Sequence, residues 1–154
     1  MEEVARRSGV GRATLYRHFS SREELIQLIY IRALRGLGEA IEAAEPDRGS
    51  PVEALRRQID GCLAAIGRHP MVVQNRIGSP DVQAETGRAF APLVELIERG
   101  QKDGSVRDDL PADWLAGLIP VTCILAVAAV DREEYSLAEA PEVVAKTLFE
   151  PILS

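Results

Sequence analysis

Apolar side chains recur every three or four residues along most of this chain, which is the spacing of one face of an α-helix. The clearest run starts after Ser21 and continues to about Ala44, or roughly 35 Å at 1.5 Å per residue. Ser21 and Glu24 have the spacing of a capping box, the pattern that opens a helix. Because no stretch alternates apolar and polar residues as a strand would, the pattern predicts an all-α protein.

Further helices are predicted after residue 45. One begins at Pro51 behind the cap residue Ser50 and ends near His69, and a short one covers about 72–77. The stretch 82–102 is helical by period, but Pro92 interrupts it, so we expect a new helix from about Ala91.

Two helices are predicted at the C-terminal end. The stretch from Pro111 to Val130 is apolar on nearly every side, so it must be buried on two faces, by its own domain and by a second subunit. Ser136 is the predicted cap of the last helix, which runs to about Ile152.

The first 22 residues predict two short helices joined by a tight turn. Gly9 stands where the chain must turn, because a positive φ is cheap only for glycine, and Ala5 allows a close helix crossing. Leu15 and Phe19, four residues apart, share the face that packs inward. The opposite face groups hydroxyl, guanidinium and imidazole side chains, which phosphates and base edges require: Arg12, Thr14, Tyr16, Arg17 and His18.

This segment resembles the DNA-binding signature of TetR-type transcriptional repressors. The residues that carry the resemblance are Val4-Ala5, Gly9-Val10, Ala13 to Phe19 and Ser21 to Leu25. Beyond this head the likeness extends only to the general layout. It implies a helix-turn-helix DNA-binding domain over residues 1–38 and a helical effector-binding and dimerisation domain over residues 39–154.

The resemblance also implies residue roles. Arg12, Thr14 and Arg17, together with Ala13, would face the major groove, and Tyr16, His18 and Arg22 would contact phosphates. Arg22 also lies at a helix N-terminus, where free N–H groups attract phosphate. In this family another helix precedes the matching segment, so we expect either a truncated chain or a head without its usual first helix. In the second case Val4 and Leu15 would lose apolar cover.

Charge is divided unevenly along the chain. The net charge is −6, but residues 1–22 hold five arginines and two glutamates, a net charge of +3, and the remainder carries −9. A basic head on an acidic body suits a DNA-binding protein with a separate regulatory domain.

Other features narrow the class. Cys62 and Cys123 have no disulfide or metal spacing and are interpreted as small buried apolar residues. The longest apolar run, Trp114 to Val130, is shorter than the ~20 residues that cross a bilayer, so a cytoplasmic protein without membrane contact is expected. Without a nucleophile–base pair, a phosphate loop or a metal-ligand cluster, neither an enzyme nor a cofactor is predicted.

The predicted function is that of a homodimeric, ligand-responsive repressor released from operator DNA by a small apolar effector. The alternative is a dimeric helical ligand-binding or interaction module without DNA binding, which the absent first helix favours. Effector sites in bundles lie between helices, although the same residues fit an ordinary core. The predicted lining is Leu63, Ile66, Met71, Arg76, Phe90, Val94, Trp114 and Leu118.

Overall fold

The structure, a computed structural model, describes residues 2–68 and 79–152. Within these residues all regular elements are helices, as predicted. The predicted helix at 72–77, with Met71 and Arg76, lies outside the described residues. The helices are α1 (Glu2–Ser8), α2 (Arg12–His18), α3 (Arg22–Ala43), α4 (Pro51–Arg68), α5 (Pro80–Asp103), α6 (Ala112–Asp131) and α7 (Ala140–Ile152).

Local capping signals determine where the N-terminal helices begin. Gly9 has a φ of 68°, as a left-handed turn requires. The Ser21 side chain accepts a 3.0 Å hydrogen bond from the N–H of Glu24 at the start of α3. At α4 the N–H of Glu53 donates to Ser50 Oγ and the Glu53 carboxylate accepts from the Ser50 N–H, a reciprocal capping box.

The expectation of a helix break near Ala91 is wrong. Helix α5 runs without interruption from Pro80 to Asp103, with Pro92 inside it. Proline removes one hydrogen bond from a helix interior, but Ala89, Leu93 and Leu96 are buried on both sides of it. Packing of this continuous apolar face outweighs the local cost.

Helix α6 lies at the centre of the C-terminal domain and contacts α4, α5 and α7. It has 20 residues, and by length and composition alone it could cross a membrane. The shorter run from Trp114 to Val130, considered alone, did not predict this. Its buried residues Leu115, Ile119 and Cys123 belong to the main hydrophobic core, so it is a core helix. The following helix starts at Ala140, later than predicted, because Ser136 and Glu139 form a separate turn.

The end of α3 distant from the head is fixed by side chains of α4 and α5. Gln58 Nε2 donates to the Ile41 carbonyl (3.0 Å), and Arg57 donates to the carbonyls of Ala44, Glu45 and Arg48. Arg99 of α5 donates to the carbonyls at 46 and 47, 2.7 Å away in both cases. Helix α3 continues without a break through the predicted domain boundary at residue 38, and that boundary stays a prediction.

Candidate nucleic-acid interface

The head is built from α1, α2 and the start of α3. Ala5 and Leu15 are buried between the two short helices, so they fix α2 against α1. The Leu15 N–H donates to the Gly11 carbonyl (3.0 Å), and the Phe19 N–H donates to the Leu15 carbonyl (2.9 Å). No side chain caps α2 at Gly11. The helix is therefore held by packing from behind.

The opposite side of α2 is open to solvent. Ala13, Tyr16, Arg17 and His18 are exposed, and Thr14 is half-buried. Arg12 is the first residue of α2, and its side chain lies outside the described residues. The structure therefore brings the described members of the predicted set onto one surface. Contact with DNA remains a prediction for each of them.

The turn between α2 and α3 is fixed by short hydrogen bonds. The carboxylate of Glu24 accepts from the Ser20 hydroxyl (2.5 Å) and from the Ser20 N–H (2.7 Å), one residue before the cap. These bonds, the hydroxyl bond first, lower the pKa of Glu24. Arg22, the first residue of α3, is exposed directly after this turn.

Apolar side chains are also exposed on the head. Val4, Val10, Leu28 and Ile29 are each about two-fifths exposed, whereas Leu15 is covered.

The predicted effector residues that the structure describes divide into three groups. Leu63 and Ile66 are fully buried in the core, and Phe90, Val94 and Leu118 are partly buried against it. Trp114 differs from both groups, because it lies in the first turn of α6 and is 63% exposed, so within one protomer it does not line an interior pocket. Met71 and Arg76 lie outside the described residues.

A groove of about 580 Å³ lies between α4 and α7 and was not predicted from the sequence. It is lined by Arg56, Ile59, Asp60 and residues of α7, and none of the predicted effector residues is among them. The Arg56 guanidinium lies 4.6 Å above the centre of the Phe149 ring. No signal joins two residues 93 positions apart in sequence, so only the fold reveals this pair. In the described residues there is no cluster of three or more potential metal ligands.

Comparison with known proteins agrees with this architecture. Residues 1–29 match the family model of bacterial regulatory proteins of the tetR family. The HTH-type transcriptional regulator NfxB of Pseudomonas aeruginosa is 30% identical over 141 residues, covering 86% of this chain and 72% of NfxB.

Solved structures have the same fold. A TetR family transcription regulator from Marinobacter aquaeolei has a TM-score of 0.71 at 19% identity, over 98% of this chain and 83% of its own. The regulator FadR from Bacillus subtilis, solved with stearoyl-CoA, has a TM-score of 0.71 at 16% identity, over 98% of this chain and 87% of its own. The match of the head to the family model and the likeness to NfxB together define the class of protein, a helix-turn-helix transcriptional regulator. The chain belongs to the tetR family of bacterial regulatory proteins.

Proposed function

We propose that this protein is a ligand-responsive transcriptional repressor that binds operator DNA as a homodimer. The observation that carries the proposal is the exposed polar face of α2, held from behind by buried Leu15. A recognition helix contacts base edges from such a face while neighbouring residues grip phosphates. Base contacts are assigned to Arg12, Ala13, Thr14 and Arg17, and phosphate contacts to Tyr16, His18 and Arg22.

The homodimer is proposed from an apolar stripe along α6. Trp114, Val121 and Leu125 are 63%, 53% and 63% exposed, and half-buried Leu118 continues the same helical spacing. An exposed stripe of this kind is an aggregation liability in a monomer. Pairing of α6 and α7 with the same helices of a second copy would cover it in a four-helix arrangement.

The effector is proposed to be small and apolar and to bind in the C-terminal domain. Support comes from the apolar side chains of Leu63, Ile66, Phe90, Val94 and Leu118, which line or border one core. FadR, a structural neighbour of the same fold, was solved with stearoyl-CoA, a ligand that contains an apolar acyl chain. A repressor acts where its operator is, so we place the protein in the cytoplasm.

The DNA-binding part of the proposal is tested with the full-length protein. Operator fragments are selected from genomic DNA, and affinity is measured by fluorescence anisotropy over a range of salt concentrations. Arg22→Ala should weaken binding to all sequences alike and lower the salt slope by about one. Arg17→Ala should relax base preference at particular positions, by about 1–3 kcal/mol for a bidentate contact.

Lys102→Ala is the control, because it removes one positive charge from α5 outside the head. It should change neither the salt slope nor the base preference. If the full-length protein binds no DNA in a salt-dependent manner, the repressor proposal fails, and a dimeric interaction module replaces it.

A further inference from the structure

A buried carboxylate connects α3 to α5. Glu85 is only 8% exposed, although it lies in the second turn of α5. Arg35 of α3 approaches it with both Nε and Nη2, each 3.4 Å from a carboxylate oxygen. Arg88, three residues further along α5, has its Nη1 3.5 Å from Glu85 Oε2, the oxygen that Arg35 Nη2 also approaches. A charged group with so little exposure needs such partners.

A close backbone contact lies one turn further along both helices. A Cβ built on Gly38 would be 3.3 Å from Ala89 Cα and 3.4 Å from Ala89 Cβ. The two helices therefore touch there almost backbone to backbone. Beyond this contact, the far end of α3 is fixed by the bonds from Gln58 and Arg57. Rotation of α3 relative to α5 would pivot near Gly38.

On the head side of this pivot the two helices are separated by a cleft. It has a volume of about 310 Å³ and is lined by Leu28, Ile31, Arg32 and Asp81 together with the charged cluster. Five of the seven residues that line this cleft are charged, so on this side of the interface the two helices face each other with charged side chains. The Arg35–Glu85 pair joins α3 to α5 across this cleft, whereas Arg88 pairs with Glu85 within α5.

We infer that Glu85 is a positioning residue that sets the angle of α3 on α5, and thereby the position of the recognition helix. The inference rests on the proposed DNA binding by a dimer. From Gly38 to Arg22 the helix extends about 24 Å, so a rotation of about 5° displaces the head by about 2 Å. Two half-sites about 34–36 Å apart require a matching separation of the two heads. A head that moves freely therefore loses operator affinity but retains its local contacts with DNA.

The first test compares Glu85→Gln with the wild type on two kinds of DNA. Both arginines are largely exposed, so each ion pair is of the exposed class, about 0.2–1 kcal/mol. Because only the Arg35 pair joins α3 to α5, Glu85→Gln should weaken binding to a two-half-site operator by up to about fivefold, the upper value for one such pair converted to an affinity ratio. Binding to a single half-site should not change. Glu95→Gln, at an exposed position of the same helix, should alter neither.

Arg35→Gln supplies the second arm of a double-mutant cycle. If the two side chains act through one contact, Arg35→Gln combined with Glu85→Gln should weaken operator binding no more than the stronger single variant. Additive losses, or an equal loss on operator and half-site, would overturn the inference, because Glu85 would then act on general stability.

A distance measurement separates this inference from the proposed function. Nitroxide labels are attached to Ala13→Cys in α2 and Glu98→Cys in α5, and labelled chains are diluted with unlabelled protein in the absence of DNA. Glu85→Gln should broaden the distance distribution, and Glu95→Gln should not. An unchanged distribution with unchanged operator binding would refute the positioning role. If the wild type binds no DNA, the proposed function fails, and the label distances still decide whether Glu85 fixes α3.

Discussion

Val106 folds back onto Gly100. The Val106 N–H donates to the Gly100 carbonyl over 3.0 Å, and its side chain covers the glycine Cα. A Cβ on Gly100 would lie 3.0 Å from Val106 Cβ and 3.2 Å from Pro51 Cβ, and would overlap a methyl group of the valine. The turn after α5 is thus joined to the start of α4 at a position where an added Cβ would overlap Val106.

This contact predicts opposite effects at two glycines of α5. Gly100→Ala should destabilise the protein by about 1–3 kcal/mol, the usual cost of overpacking. At Gly87 a Cβ would meet nothing within 4 Å, so Gly87→Ala should stabilise by about 0.4–1 kcal/mol. Urea unfolding followed by circular dichroism measures both, and equal effects would show that the Val106 contact is not tight.

The α6 stripe predicts a dimer that one charge can dissociate. Leu125→Glu should shift the molar mass seen by light scattering from dimer to monomer at micromolar concentration, because a carboxylate would be buried unpaired at the interface. Ala91→Glu introduces the same charge at an exposed position of α5 and should leave the mass unchanged. A wild type that is itself monomeric would contradict the proposed assembly.

The two cysteines are predicted to be unreactive in the folded protein. Both are buried and free, and the hydrogen bond with Cys62, together with burial, raises the pKa of Cys123. Because the thiolate is the reactive species, a disulfide reagent at pH 8 should modify neither residue until denaturant is added, when both should react. Rapid modification of the native protein would exclude this packing.

The turn before α3 predicts a dependence of stability on pH. Since the pKa of folded Glu24 is below its ordinary value of 4.5, the carboxylate stabilises the fold above that pH. The contribution is lost as pH falls through the folded pKa. The difference in melting temperature between wild type and Glu24→Gln should therefore shrink below about pH 4.5. Glu23→Gln, in the same turn, serves as the control, and a difference independent of pH would contradict the assignment.

The arginine pair at 56 and 57 predicts unequal losses from equal substitutions. Arg57→Met removes three hydrogen bonds to carbonyls after α3 and should cost about 2 kcal/mol or more. Arg56→Met removes a stack on Phe149, an exposed contact of about 0.5–1 kcal/mol. Thermal unfolding of the two variants tests this order. A larger loss for Arg56→Met would contradict this order, because the stack on Phe149 would then contribute more stability than the hydrogen bonds of Arg57.

Local chemistry made much of the head predictable. Gly9 and Ser21 act within a few residues, and the structure has both as the sequence predicts, because caps and left-handed turns depend on neighbouring backbone groups. The same logic failed at Pro92, where distant packing decides whether the helix continues. It also misplaced the start of the last helix by treating Ser136 as a cap, when that serine closes its own turn with Glu139.

Relations across long sequence distances could not be predicted. Arg35 and Glu85 are 50 residues apart, and each alone fits an ordinary solvated charge. Only the packing of α3 on α5 buries Glu85 and brings Arg35 to its carboxylate. The proposed effector site could not be predicted from the sequence either, because the spacing of Leu63 and Phe90 fits both a core and a pocket.

The segment between α3 and α4 lies on the surface, yet its backbone carbonyls already accept hydrogen bonds from side chains. Arg57 and Arg99, from two different helices, hold the carbonyls of residues 44–48 in fixed directions. A protease binds its substrate as an extended strand. To adopt that conformation, this segment would have to lose its hydrogen bonds to both Arg57 and Arg99 at once. Accessibility alone would make this loop a cutting site, whereas its hydrogen bonds predict that it resists cleavage.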